Sequence, residues 1–475
     1  MTAPTLNDAD DALLARLADA LGSDAVRVPE DRYLEEPRGR FRGHAAAVLR
    51  PADTAAVAAA VRLCAEARVG IIPYAGGTGL VGGQILETGP VPVILSLERL
   101  TRLRDIDPTD NVMTAEAGVI LADAHAAAEA SDRLFPLWLA SEGTARIGGL
   151  LATNAGGVNV IRYGNARDLC LGVEAVMADG SVLHGLSRVV KDNMGYDLRH
   201  LLIGSEGTLG IITAASLRLH PPTPERATAW IAVASPSDAL ALLQHLRARL
   251  GGTISAFELL SSEGLAFLRE KLPQVAVPGL GGEWFVLTEA ADGPGADVAD
   301  RLENALAETL EAGMASDALI AQNAAQRDAF WTVRETIPEA NRLIGSISSH
   351  DISLPPARLA AFIDEARRAL GDLDPEMRIN CFGHLGDGNL HYNVFPAKGR
   401  SRAEYDGLRE AVKLLVHDMT HAAGGSVGAE HGVGRLKSGD LVRYGDPAKL
   451  ATMRAIKAAL DPHGILNPGA VLPPV

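Results

Sequence analysis

Residues 75–83 read AGGTGLVGG and continue a short strand-like segment, IIPYA. Two further glycine clusters follow, SEGTARIGGLLATNAGG at 141–157 and GSEGTLGII at 204–212, each beside a strand signal. Glycine tolerates positive φ and lets backbone N–H groups approach a ligand closely, which is how many loops hold pyrophosphate. Any one cluster is equally compatible with an ordinary turn. Three of them in one region favour a single extended ligand that they share.

The glycine clusters do not match the common nucleotide-binding patterns. None fits GxxxxGK[ST], and none fits GxGxxG at a strand-to-helix turn followed by an acidic residue. The sequence therefore contains neither a P-loop nor the dinucleotide-binding fingerprint of NAD enzymes.

Length and composition set the broad class of the protein. A chain of 475 residues exceeds one ordinary core, which predicts two or three domains. Hydrophobic residues make up 47% and charged residues 22%, as in a globular protein. The net charge of −15 argues against nucleic acid as a partner but leaves room for a small anionic substrate.

The sequence shows no targeting or membrane-spanning signal. No uncharged apolar run is long enough for a transmembrane helix, and the acidic start MTAPTLNDADDALL lacks the features of a signal or transit peptide. Cys64, Cys170 and Cys381 are too far apart in sequence for a CxxC pair or a disulfide framework. We therefore expect a cytoplasmic protein.

Strand and helix signals alternate without regular βαβ spacing, which favours an α+β fold. A helix is expected over 54–70, capped by Asp53 and closed by Gly70. Asp179-Gly180 predicts a hairpin turn within 172–185. The diproline at 221–222 predicts the first domain boundary.

The stretch CFGHLGDGNLHYNV, residues 381–394, places two histidines across a glycine-rich turn. We expect strands at 378–384 and 389–395, with Asn389, His391 and Asn393 on one face and Leu390, Tyr392 and Val394 on the other. His384 can then face His391 across the hairpin. Two close imidazoles suit a cation, and a third ligand is available in Glu430, beside His431 in GAEHGVGRLK. From the residues alone, hydrogen-bonded core histidines are slightly favoured over a metal site, and a surface loop is favoured for residues 430–431.

Longer motifs carry a family resemblance. PYAGGTGLVGGQ, ASEGTARIGGLLATNAGGVNVIRYGNARD and KDNMGYDLRHLLIGSEGTLGIIT resemble the FAD domain of vanillyl-alcohol-oxidase-type flavoenzymes. The branch most similar to this chain is the FAD-linked D-2-hydroxyacid dehydrogenases, which include D-lactate and D-2-hydroxyglutarate dehydrogenases. The resemblance extends in order to the C-terminal GILNPG. It implies a FAD-binding domain at 1–222, an α+β substrate (cap) domain at 223–425, and a C-terminal segment at 426–475 that completes the active site.

The resemblance also implies non-covalent FAD, because Ala75 precedes the first glycine pair and some relatives attach FAD through His or Cys. Residues 76–79 would hold the pyrophosphate. Glu206, Gly207 and Ile212 would lie near the adenine half, and Asn467 would approach the flavin ring. The residues expected to bind the cofactor are Gly76, Gly77, Thr78, Gly79, Leu80, Gly83, Ser141, Gly143, Thr144, Ile147, Gly148, Asn154, Gly156, Gly157, Glu206, Gly207, Ile212 and Asn467.

For the active site, the resemblance implies that His384, His391 and Glu430 bind a divalent metal. Zinc is the expected ion, although manganese, cobalt or iron suit the same ligands. His431 would be the general base, since an imidazole titrates near neutral pH.

The substrate would bind through Arg334 in FWTVRETIPEA, Asn393 and Ser349. For Arg334 the sequence alone favours a surface ion pair on a helix. Ser349 stands where relatives acting on D-2-hydroxyglutarate commonly carry Lys, which leaves the substrate open; Arg342 is a second cation that the sequence offers nearby.

These residues predict FAD- and metal-dependent oxidation of a D-2-hydroxy acid to the 2-oxo acid, with D-2-hydroxyglutarate first and D-lactate or another D-2-hydroxy acid second. A metal-dependent hydrolase would leave the glycine clusters unexplained. A non-catalytic flavin protein would leave the metal and base residues unexplained. The expected electron acceptor is a flavoprotein or a quinone, with oxygen also open, and a homodimer is one option for the assembly.

Overall fold

The structure, a computed structural model, describes residues 5–473; residues 1–4 and 474–475 of the predicted terminal domains lie outside it. The strands are β1 (Val26–Arg27), β2 (Ala47–Leu49), β3 (Ile71–Tyr74), β4 (Val93–Ser96), β5 (Leu103–Asp107), β6 (Val112–Glu116), β7 (Cys170–Val176), β8 (Val182–Gly185), β9 (Ile211–Arg218), β10 (Glu225–Val233), β11 (Ile254–Ser261), β12 (Trp284–Asp292), β13 (Asp317–Ile320), β14 (Ser348–Ser353), β15 (Arg378–His384) and β16 (Asn389–Phe395). The α-helices are α1 (Asp11–Leu21), α2 (Asp31–Leu34), α3 (Thr54–Ala67), α4 (Leu121–Ala130), α5 (Ile147–Ala152), α6 (Val160–Tyr163), α7 (Leu198–Leu202), α8 (Pro236–Leu250), α9 (Ser262–Lys271), α10 (Val298–Glu311), α11 (Ala324–Ile344), α12 (Pro356–Leu373), α13 (Arg409–Ala422), α14 (Ser438–Tyr444) and α15 (Pro447–Leu460).

The chain divides into two compact units. The first contains Met1–Gly157, Gly164–Pro221 and Glu430–Val475, and the second contains Val158–Tyr163 and Pro222–Ala429. The chain thus leaves the first unit within the diproline and rejoins it at Glu430. The C-terminal residues belong to the same unit as the three glycine clusters.

The first unit contains two sheets. One has the strand order β1-β2-β4-β3, in which β4 pairs in parallel with both β2 and β3. The other is antiparallel, with the order β5-β6-β9-β7-β8. Both sheets contribute to one apolar core, to which α1 and α3 also add buried side chains.

The second unit is built on one antiparallel sheet of seven strands, in the order β13-β10-β12-β11-β15-β16-β14. Helices α8, α10, α12 and α13 supply the core on one face of this sheet. Helices α9 and α11 pack on the other face around Trp230 and Phe382. The mixed architecture confirms the predicted α+β class.

Local predictions succeed where a pattern is short-range. Gly180 has φ 77° in the turn between β7 and β8, as the Asp-Gly pair predicts. The helix expected over 54–70 begins after Asp53, whose side chain accepts the Ala56 N–H, but it ends three residues early. Arg68, at φ 52°, takes the left-handed C-cap position instead of Gly70. Within residues 5–473, no helix combines the length and apolarity needed to cross a bilayer.

Candidate active site

The histidine hairpin forms as the sequence predicts. Strands β15 and β16 span the expected residues and pair antiparallel, with Phe382 opposite His391. Leu390, Tyr392 and Val394 lie in the core beneath the sheet, so Asn389, His391 and Asn393 share the opposite face. Gly388 closes the turn at φ 91°, where a Cβ would collide with the Leu354 carbonyl oxygen. The hairpin therefore places both histidines on one face of a rigid sheet.

His384 and His391 are neighbours across this hairpin, with ring centroids 5.7 Å apart. Glu430 directly follows Ala429, whose N–H donates to the Asp351 carbonyl oxygen on β14. One nitrogen of each imidazole and one carboxylate oxygen of Glu430 all lie within 4.8 Å of one another. Two imidazoles and a carboxylate form a donor set that suits a divalent transition metal. The three predicted ligands thus fit a metal ion.

His431 lies beside this group. Its Nε2 is 3.5 Å from Oε1 of Glu430. Its side chain is partly exposed, so the imidazole has access to solvent. An imidazole in this position can accept a proton from an alcohol that binds beside it.

Glu258 on β11 is a site residue that the sequence reasoning missed. It lies directly opposite His384 in the antiparallel pair of β11 and β15. Its Oε1 is 2.6 Å from Nδ1 of His384, and its Oε2 accepts a hydrogen bond of 2.7 Å from Nε of Arg334. Burial alone would raise the pKa of Glu258, but the charges and hydrogen bonds of His384 and Arg334 lower it to about 2. Glu258 is therefore a buried carboxylate that joins two predicted site residues.

The signal for Glu258 was present in the sequence. In ISAFELLS it is the one charged residue of an otherwise apolar and small-polar strand. A charged residue on a strand that is buried on both faces needs a partner, so it marks a pair to be sought elsewhere.

Arg334 is buried on α11 and stacks over Phe382, with its guanidinium carbon 5.3 Å from the ring centroid. The ion pair that the sequence suggested for Arg334 exists, but it is internal. Its bond to Glu258 uses Nε. Within residues 5–473, Nη1 and Nη2 donate no hydrogen bond to protein, and they form the pair of donors that suits a second carboxylate.

The other predicted substrate residues lie on the same sheet. Asn393 is buried and directly opposite Ser349 on β14. The Ser349 hydroxyl is 2.7 Å from that of Ser346. Arg342 is bound by both carboxylate oxygens of Glu339 on an exposed face of α11. The position next to Asn393 is therefore a neutral pair of hydroxyls.

The three glycine clusters come together in the first unit. A Cβ at Gly76 would collide with the Thr144 carbonyl oxygen, which places the first cluster against the second. The N–H of Glu206 donates to the Ala152 carbonyl oxygen at 2.8 Å, which places the third cluster against the second. The predicted cofactor residues therefore share one region.

The first cluster has the backbone of an anion site. Within residues 5–473, the N–H groups of Gly76, Gly77, Thr78 and Gly79 donate no hydrogen bond to protein. Gly77, at φ 70°, turns the chain where a Cβ would collide with the Tyr74 hydroxyl. Consecutive unused N–H groups in a half-exposed glycine loop suit a pyrophosphate. These residues fit the cofactor that the resemblance implies.

Glu206 clamps the loop that follows His431. Its carboxylate accepts hydrogen bonds from the N–H groups of Val433 and Gly434 at 2.7 and 2.9 Å. Its carbonyl oxygen accepts a bond of 2.8 Å from Nδ2 of Asn467. Burial raises the pKa of Glu206, opposed by these N–H groups. The side chain predicted to lie near adenine thus holds the C-terminal loop, and its contact with the cofactor stays a prediction.

Arg435 is the second residue that the sequence reasoning missed. Its Nη1 donates to the carbonyl oxygens of Gly82 and Gly83 at 3.0 and 2.9 Å. Its Nη2 donates to Oδ1 of Asn467 and to the Pro468 carbonyl oxygen at 2.9 and 2.8 Å. One guanidinium therefore joins the first glycine cluster to the C-terminal segment. GRLK alone gives no sign of this, because all four acceptors are distant in sequence or on the backbone.

Comparison with known protein families finds two matches along the chain. Residues 45–185 match the family described as FAD binding domain. Residues 223–471 match the family described as FAD linked oxidases, C-terminal domain. Both descriptions place the chain among FAD-dependent oxidoreductases, so the hydrolase alternative is not retained.

Similar proteins with curated names cover most of the chain. The mitochondrial D-2-hydroxyglutarate dehydrogenase of Arabidopsis thaliana is 37% identical over 91% of this chain and 76% of its own length. The D-2-hydroxyglutarate dehydrogenase of Xanthomonas citri pv. viticola is 36% identical over 92% of each chain. Among solved structures, p-cresol methylhydroxylase with bound substrate superposes with a TM-score of 0.73 at 17% identity, covering 98% of this chain and 97% of that one. That similarity shows the vanillyl-alcohol-oxidase-type fold.

Proposed function

Because this chain belongs to the family of FAD-linked D-2-hydroxyacid dehydrogenases, we propose that it oxidises D-2-hydroxyglutarate to 2-oxoglutarate with FAD and a divalent metal. In this reaction the C2–H and O–H bonds of the hydroxy acid break and a C=O bond forms. A hydride and a proton leave the substrate. The names of the relatives support the substrate, and the donor set of His384, His391 and Glu430 is the observation that carries the metal.

His384, His391 and Glu430 would hold the divalent metal near the reacting end of the substrate. A divalent ion there supplies Lewis acidity that makes the hydroxyl proton easier to remove. Zinc is the proposed ion, because imidazole nitrogens and a carboxylate oxygen match its preferences. His384 and His391 lie on paired strands, which position these two ligands before a metal arrives.

The glycine loop and its neighbours hold FAD. When bound, FAD supplies the hydride acceptor, N5 of the flavin. The unused N–H groups at 76–79 bind the pyrophosphate, and the residues of the other two clusters line the cofactor. Burial raises the pKa of Cys64, Cys170 and Cys381 to about 12, so these thiols do not ionise near neutral pH, which supports non-covalent FAD.

Three further side chains act on the substrate. His431 takes the hydroxyl proton as general base, a role supported by its position beside Glu430. Arg334 binds the C1 carboxylate through Nη1 and Nη2, since Glu258 already occupies Nε. Asn393 donates to the carboxylate or hydroxyl.

A second candidate substrate is D-lactate or another D-2-hydroxy acid without a distal charge. The observation that favours it is the neutral hydroxyl pair of Ser349 and Ser346 beside Asn393. Arg342, the cation that the sequence offered, is occupied by Glu339.

Reoxidation of the flavin is proposed to use a flavoprotein or a quinone, because the sequence contains no NAD fingerprint. A cytoplasmic location and a homodimer stay predictions.

The test is an anaerobic visible spectrum of the purified yellow protein. D-2-hydroxyglutarate, its L-enantiomer and D-lactate are added to separate samples. Rapid loss of the flavin band with D-2-hydroxyglutarate alone supports the proposal. Faster loss with D-lactate would select the second candidate, and a flavin band that survives both D-acids would contradict the proposed reaction.

A further inference from the structure

Glu258 stands out because a carboxylate occupies the middle of a buried strand. It is fully buried on β11, between Phe257 and Leu259, which both belong to the apolar core. Removing a carboxylate from water is unfavourable unless the charge is paired and hydrogen-bonded. The sheet therefore retains Glu258 at a cost, and its two contacts indicate why.

Those contacts are both to predicted active-site residues. Oε1 lies 2.6 Å from Nδ1 of His384, and Oε2 accepts from Nε of Arg334 at 2.7 Å. His384 is directly opposite on the neighbouring strand, so the sheet register itself fixes that contact. Arg334 comes from α11, on the face where the histidines lie. A single carboxylate therefore connects a metal ligand to a substrate-binding cation.

We propose that Glu258 is a positioning residue that sets both the metal affinity of His384 and the placement of the Arg334 guanidinium. This inference rests on the proposed function, in which His384 binds a metal and Arg334 binds the substrate carboxylate. With Nδ1 bonded to Glu258, the proton of the neutral imidazole is on Nδ1 and Nε2 is the ligand atom. Hydrogen bonds from carboxylates commonly orient metal-bound histidines in this way.

Only a carboxylate can serve both partners. His384 and Arg334 each donate a hydrogen bond, so both oxygens of Glu258 must accept. An amide offers one accepting oxygen and one donating NH₂ group. In Glu258→Gln, the NH₂ group therefore faces one of these two donors. If it faces the guanidinium, the two donors repel each other and Arg334 leaves its position. If it faces Nδ1 of His384, the imidazole proton moves to Nε2, which can then no longer bind the metal.

Glu289 provides a matched control. It is a buried glutamate on β12, the next strand of the same sheet. Its Oε2 accepts from the neutral donors Thr228 and Trp331 at 3.1 and 3.2 Å. Its Oε1 accepts from the Ser255 hydroxyl and lies 4.0 Å from Nη1 of Arg226, a longer ion pair than that of Glu258 with Arg334. Glu289→Gln thus makes the same chemical change in the same sheet without touching a predicted site residue.

The experiment measures metal affinity, flavin content and kinetics of the full flavin-loaded chain. Metal is stripped from wild type, Glu258→Gln and Glu289→Gln, and Co²⁺ is titrated against a chromophoric chelator while its d–d bands are recorded. We expect Glu258→Gln to bind Co²⁺ about 10–100-fold more weakly, with altered bands, and to show a raised KM at saturating metal. Glu289→Gln should stay within about twofold of wild type, as expected for a change outside the ligand shell.

The outcomes separate the two claims. A folded Glu258→Gln with wild-type affinity, bands and KM would overturn the positioning role while leaving the proposed function intact. A wild-type protein that binds no Co²⁺ would overturn both. If Glu258→Gln does not fold, Glu258→Asp keeps the charge but is one methylene too short to reach both partners. That variant should show weaker Co²⁺ binding or a raised KM, and wild-type values for both would contradict the inference.

Discussion

The histidine hairpin of the second unit and the His431 loop of the first unit hold their imidazoles by different means. His384 and His391 lie on paired strands, where the backbone ladder fixes both side chains. The residues after His431 are held by contacts with residues far along the chain: Val433 and Gly434 donate to Glu206, and Arg435 donates to Gly82. Along a strand, the direction of each side chain follows from the alternation of successive residues. The conformation of a loop held by side chains depends instead on each individual contact.

The largest expected effect comes from removing a ligand of the hairpin. His384→Ala should lower the rate of flavin reduction by about 10³-fold, since Lewis-acid assistance contributes several kcal/mol. The protein should stay folded and yellow, because the backbone ladder does not depend on the imidazole and the buried Glu258 keeps its ion pair with Arg334. Stopped-flow spectroscopy measures the rate of flavin reduction, and metal analysis measures the metal content of the variant.

His245→Ala is the control, because His245 lies on α8 of the same unit and pairs with Glu308. A His384→Ala protein that keeps its metal and its rate would show that the histidine pair is structural.

The second largest expected effect concerns His431, in the loop of the first unit. His431→Ala should slow flavin reduction by about 10²–10³-fold, the usual contribution of a general base, while metal content stays near wild type. The anaerobic reduction rate and the metal content measure this role, and His463→Ala, which changes an exposed histidine, is the control. An unchanged rate in His431→Ala would assign the proton transfer to another group.

Arg435→Lys breaks the contacts that hold the loop without touching the hairpin. A lysine ammonium cannot reach all four acceptors of the Arg435 guanidinium, so we expect the free energy of unfolding to fall by about 2–4 kcal/mol. FAD retention should fall as well, because two of the acceptors are carbonyls of the first glycine cluster. Thermal unfolding and flavin occupancy measure these changes.

Arg16→Lys is the matched control, since Arg16 forms an exposed ion pair with Glu66 in the same unit. Equal losses in both variants would mean that the contacts of Arg435 contribute no more than a surface pair.

The smallest expected effect sharpens the choice of substrate. Ser349→Lys places an ammonium beside Asn393, so KM for D-2-hydroxyglutarate should fall by about tenfold through one charge-assisted hydrogen bond. KM for D-lactate, which has no distal carboxylate, should stay the same. Steady-state kinetics with both acids measure the difference, and an equal change for both would place the distal carboxylate away from Ser349.

The hairpin shows how much a sequence can predict. Alternation along 389–395 gave the face of each side chain, and the glycine-rich turn gave the antiparallel pairing. The helix at 54–70 shows the limit of such patterns. Its start follows from the capping side chain of Asp53, but its end depends on Arg68 adopting a left-handed conformation, which residue type alone does not favour.

The residues that sequence reasoning missed act through long-range contacts. Glu258 meets His384 only because β11 and β15, distant in sequence, are neighbours in the sheet. Arg435 meets Gly82 and Gly83 only because the C-terminal segment returns to the first unit. Local patterns do not encode either contact, although the lone charge in β11 could have been flagged as needing a partner.

The most direct test of the central claim is a metal titration of the flavin-loaded protein. Metal is removed with a chelator, and anaerobic reduction by D-2-hydroxyglutarate is then followed at increasing Zn²⁺. We predict that the stripped protein keeps its flavin band in the presence of substrate and that reduction returns in proportion to Zn²⁺, saturating at one ion per chain. Reduction at full rate without metal would contradict the account.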